Sequence, residues 1–228
     1  MESYTEALTY PIDREDWVRT ILIGGILMFF GFLIIPLVLI NGYGIRVIRT
    51  RLEGRSDPPV FDDWESLFVD GLKAFVIGLV YMIVPIVVGA ATVGTAFVAM
   101  AGSPRMGAAA LTGMVGGLGI TFLLFLVFGY VAVAAVINFA AEEDFSAGFA
   151  FEDIKELGMN PEYAVAWGIS VVVLLVANVV SGALNVIPLL GAVAAAFVYF
   201  YAEVVAADIW VEGYERATTD RDADVSLR

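Results

Sequence analysis

Five long apolar stretches, 18–40, 74–101, 108–141, 165–183 and 188–209, take up most of this 228-residue chain. A hydrocarbon layer about 30 Å thick is crossed by roughly 20 apolar helical residues, and each stretch reaches or approaches that length with few or no charges. The pattern predicts an all-α fold, a polytopic transmembrane helix bundle of about five spans. A segment over 1–17 precedes it, one transmembrane domain covers 18–212, and a polar, acidic tail without fixed structure covers 213–228.

Charge qualifies this picture. Mean hydropathy is +0.87, yet 25 acidic side chains stand against 12 basic ones, nearly all outside the stretches. Such an excess, spread over every sizeable loop and both termini, is the pattern of adaptation to very high salt. There carboxylates keep surfaces hydrated and their repulsion is screened within a few ångströms. An acidic docking surface for a cationic partner is the alternative. The same sign disfavours nucleic acid. With no Cys and no His, disulfides, thiolate zinc sites and the usual neutral-pH general base are excluded, and no cofactor is expected. The acidic segment 1–16 does not read as a signal peptide, so the first stretch is expected to remain as a membrane helix.

Lys and Arg count orients the bundle. With five crossings, one side holds Arg14, Arg19 and Arg105; the other holds Arg46, Arg49, Arg51, Arg55, Lys73, Lys155, Arg216, Arg221 and Arg228. That predicts a multi-pass cell-membrane protein with its long loops and C-terminus cytoplasmic and its N-terminus outside. Pro36 complicates the first stretch, because proline removes a backbone bond and bends or breaks a helix. Either 18–40 is one kinked span, or it is re-entrant, entering over 20–35, turning at Pro36 and leaving over 37–51 on the same face. The second arrangement keeps the N-terminus inside.

Two related motifs, Phe61-Asp62-Asp63-Trp64 and Phe151-Glu152-Asp153-Ile154, lie 90 residues apart, and the same offset pairs Leu67 with Leu157, Ala74 with Ala164 and Gly78 with Gly168. The spacing fits either a parallel repeat over 18–101 and 108–183, with the fifth helix added, or a chance match. Each motif predicts a short amphipathic helix on the cytoplasmic interface, with Phe61, Trp64, Leu67 and Phe68, or Phe151, Ile154 and Leu157, on its apolar stripe. Adjacent Asp62 and Asp63 diverge on a helix and read as solvated first-turn acids. Asn160-Pro161 supplies a helix start.

Glu203 is the clearest acid inside an apolar stretch, and a charge at that depth is costly unless paired. Arg46 or Arg49 is its expected partner in an intramembrane ion pair; a proton or cation relay and a snorkelling acid are the alternatives. Asn41, Asn138, Asn178 and Asn185 read as interhelical hydrogen-bonding groups. Gly89, Gly94, Gly116, Gly117, Gly119 and Gly129 read as close-packing positions.

Ile23-Gly24-Gly25-Ile26-Leu27 before Ile35-Pro36, Gly42-Tyr43 with Arg46 and Arg49, Phe61-Asp62-Asp63-Trp64, Asp70-Gly71-Leu72-Lys73-Ala74, Asn160 through Trp167 and Phe200 through Ala207 together resemble the DUF4013 family of archaeal and bacterial membrane proteins. The acid-rich, lysine-poor form is similar to a halophilic archaeal member. The resemblance implies a membrane location and no catalytic residues.

Two function classes follow. One is a non-enzymatic membrane scaffold or assembly component contacting lipid and a protein partner or a second copy. The other is a small transporter or permease with Glu203 lining a polar path. A membrane-embedded enzyme is disfavoured without His, Cys or a carboxylate cluster.

Overall fold

A computed structural model describes residues 2–102 and 104–226, and its regular structure over them is entirely helical. The α-helices are α1 (Glu2–Glu6), α2 (Trp17–Phe29), α3 (Ile34–Leu52), α4 (Trp64–Gly102), α5 (Pro104–Glu142), α6 (Phe151–Met159), α7 (Pro161–Leu184) and α8 (Leu190–Ser226), with 3-10 turns at Tyr10–Ile12 and Phe145–Phe149. Four helices, α4, α5, α7 and α8, are long and apolar enough to cross a membrane. The chain is an all-α bundle, but its first apolar stretch is not a span like the others.

That stretch is broken at residues 30–33, where Leu33 is extended, and not at Pro36. Pro36 lies in the first turn of α3. The first four N–H groups of a helix have no intrahelical acceptor, so a proline there loses no hydrogen bond and starts α3 instead of kinking a longer helix. The two pieces return on each other. Arg14, ahead of α2, donates to the Pro58 carbonyl beyond α3 (3.5 Å), and the Arg51 guanidinium near the end of α3 stands 5.2 Å over the Tyr10 ring. Midway, Gly24 of α2 and Tyr43 of α3 both pack on Phe200 of α8. The hairpin therefore enters and leaves at one end of the bundle, which is the re-entrant arrangement with its turn moved upstream.

This geometry changes the placement of the N-terminus. Arg216 stands 4.6 Å over Tyr4, and the Tyr201 hydroxyl donates to the Leu8 carbonyl (2.5 Å), so the N-terminal segment lies along α8 between Tyr201 and Arg216. The described ends of the chain thus lie toward one end of the bundle, where five crossings would have set them at opposite ends. Among the described residues, chain position puts the basic positions from 14 to 73, with Lys155 and Arg216, toward that end. The polar tail also departs from expectation, since α8 continues as helix through Ser226.

Packing is densest at this end. Tyr43 stacks on Phe61 at 4.2 Å, and both meet Phe200. α3 and α4 touch backbone to backbone: a Cβ on Gly42 would lie 1.9 Å from the Leu67 carbonyl oxygen, and one on Gly71 1.9 Å from that of Val38. Only glycine permits so close a crossing. Gly94, Gly116 and Gly119, expected at helix contacts, face open space instead. α8 is the central post, with half of its most apolar window buried against 17% for α4. α4 and α5 have 39 residues each, about 58 Å at 1.5 Å per residue. That is nearly twice the hydrocarbon thickness, so these helices either tilt in a bilayer or carry helical turns beyond its hydrocarbon layer.

Candidate functional site

Three arginines on the C-terminal half of α3 organise the polar end. Arg49 and Arg51 lie in the last turn of α3, where cations suit the helix dipole. Arg46 pairs with Asp62 at 2.5 Å and donates to the carbonyls of Val60 (3.0 Å), Asp62 (2.8 Å) and Asp63 (3.3 Å), fixing the α3–α4 loop. Arg49 pairs with Asp70 of α4 at 2.5 Å and reaches the Ala140 carbonyl of α5 at 3.4 Å, beside the Phe139 ring. Arg51 pairs with Asp208 of α8, a residue only 4% exposed. Their facing atoms, Arg51 Nε and Asp208 Oδ1, have no other hydrogen-bond partner among the described residues. Tyr10 closes over this pair, and burial raises its phenol pKa, with Asp208 adding to the shift.

The ion pair expected between Glu203 and Arg46 or Arg49 is therefore not formed. Shorter-range acids take both arginines: Asp62 and Asp70 stand where the loop and α4 leave the apolar layer. Glu203 makes no ion pair or hydrogen bond to another described residue, and it is the only exposed side chain on α8 between residues 191 and 214. Sequence reasoning missed Asp70 and Asp208. Their signal was position, since each sits where a membrane helix reaches the arginine layer.

The two motifs resolve differently. Phe61 is buried in the aromatic stack, Asp63 has a left-handed φ of 44° and its Oδ1 accepts from the Ser66 N–H (3.3 Å), and α4 starts at Trp64 without interruption. The first interfacial helix is thus the opening of α4. The second is a separate helix, α6, with Ile154 and Leu157 buried, Glu152 and Asp153 in its first turn, and Phe151 exposed where it was expected on the apolar stripe. Asn160 caps α7 by accepting from the Glu162 N–H (2.9 Å).

A cavity of about 510 Å³ opens at this end between α5, α6 and α8. Glu142, Asp144, Asp153 and Glu156 line it, with Asn138, Asn160 and Tyr214. Asp144 is held below the usual carboxylate range by the Ser146 backbone N–H and then by its hydroxyl. Asn138 is buried and donates to the Ala147 carbonyl (2.8 Å). Among the described residues no three His, Cys, Asp or Glu side chains are arranged to hold a metal ion. The cleft's charge suits an extended cationic group.

A family model described as a protein of unknown function (DUF4013) matches residues 26–186. The matched segment ends before α8, so Glu203 and Asp208 lie outside it. No curated protein and no solved structure matches the chain.

Proposed function

Because the chain belongs to the DUF4013 family, whose function is unknown, its role must be argued from its own geometry, and we propose that it is a non-enzymatic scaffold of the cell membrane. Its acidic cleft receives a partner's Lys- and Arg-bearing segment. One observation carries this reading: the arginines at the membrane edge are engaged in ion pairs between elements, while the cavity lined by four carboxylates opens on the loop side. That division suits a rigid frame with an exposed acidic recess better than a path through the membrane.

The basic residues gathered at the end shared by both termini support placing that end in the cytoplasm. The acid excess supports a halophilic archaeal origin, and melting temperature should then rise steeply with potassium chloride.

A transporter is the second reading, favoured by Glu203, which is exposed and unpaired. Two experiments separate them. A photo-crosslinking amino acid at Ala150, in the cleft wall, should yield a discrete cross-linked partner in cells, lost on joint Glu142→Lys and Asp153→Lys substitution. Proteoliposomes should show no cation flux dependent on Glu203. A flux abolished by Glu203→Gln would replace the scaffold with the transporter.

A further inference from the structure

The position of Glu203 leads beyond the scaffold reading and does not depend on it. Thirteen residues separate Glu203 from Leu190 and five separate it from Asp208, placing it about 20 Å along α8 and one and a half turns inside the ion-paired layer. On one side of it, Ala207, one turn on, belongs to the same buried core as Ala134 and Ile137 of α5. On its other side, Tyr199 accepts from Asn178 Nδ2 (2.7 Å) and Trp210 Nε1 donates to Ser170 Oγ (2.7 Å), both on α7. Glu203 thus points into the angle between α5 and the α7–α8 hairpin.

That angle is open. α5 meets α7 where the Tyr163 hydroxyl donates to the Tyr130 carbonyl (2.7 Å) and Tyr130 packs edge-on against Trp167 (5.3 Å); beyond this the two hairpins make only slight contact. Tyr199 lies one turn before Glu203 on α8 and Trp210 two turns after it, and Tyr130 and Trp167 stand where the angle closes. Its walls are apolar, with Leu174 on the α7 face that carries Ser170 and Asn178, and exposed Leu123 and Val127 on the α5 face that carries Tyr130. A carboxylate bare to lipid is costly, whereas an organic cation between aromatic faces is attracted both by the charge and by the rings.

The geometry points to a lateral binding site for a cationic amphiphile, its ammonium headgroup at Glu203 and its alkyl chain between the two hairpins. The test uses the full chain in nanodiscs with a diazirine-bearing dodecyltrimethylammonium. Labelling should concentrate on peptides around Trp167 to Asn178 and Trp210, be competed by dodecyltrimethylammonium, and resist neutral dodecyl maltoside. Glu203→Gln should raise the competing concentration about tenfold, equivalent to about 1.4 kcal/mol, while Glu65→Gln leaves it unchanged. If Glu203→Gln lowers the melting temperature, Glu203→Asp supplies the comparison, since retained charge should retain labelling. Equal competition by the neutral detergent, unchanged labelling in the folded Gln variant, or lost labelling in a folded Asp variant overturns the site.

Discussion

At the scale of single residues, the ion pairs rank by burial. Asp208 is sealed under Tyr10 and Arg51 is about a third exposed, so Asp208→Asn leaves a poorly hydrated guanidinium and should cost about 3 kcal/mol of stability. Removing Glu53 from its exposed pair with Arg55 should cost less than about 1 kcal/mol. Unfolding in detergent measures both, and similar losses would contradict the ranking. The arginines were visible in the sequence as a basic turn after an apolar stretch, but their partners were not. Glu203 was the nearest acid by depth, yet side-chain direction around α8 turns it away from α3, and Asp208, five residues on, meets Arg51. Depth is readable from chain position; azimuth depends on helix packing, which spacing alone does not set.

Among the elements, local signals were legible wherever backbone chemistry acts alone. Asn160-Pro161 starts α7 with the expected cap, and Asn160→Ala should remove about 1 kcal/mol, read as a lower melting temperature with helix content retained. A comparable signal is missing between Phe61 and the apolar residues after it, so α4 runs on from Trp64. The break before α3 is another case. Proline marks a helix start as readily as a kink, and only the return contacts with Tyr10, Phe200 and Pro58 decide between them. The hairpin tip is apolar, with Phe32 77% exposed, and should lie in lipid. The chain has no cysteine, so single substitutions report cleanly. Phe32→Cys should resist an impermeant maleimide from both sides, whereas Ser56→Cys should react from one; ready labelling at position 32 would place the tip in water.

For the whole molecule, membrane residence and helical class were evident from apolar length, while sidedness was not. One broken stretch changes the parity of crossings, and with it the side of the N-terminus, without altering composition at all. Contacts tie residues 4–14 to Arg51, Pro58, Tyr201 and Arg216, which is the arrangement an even number of crossings requires. The most direct test of this account is side-specific labelling of Thr9→Cys and Thr219→Cys in intact cells. Both should stay unlabelled by an impermeant maleimide until the membrane is opened, then react equally. Labelling of Thr9→Cys in intact cells while Thr219→Cys stays protected would put the termini on opposite faces and contradict the hairpin on which the fold rests.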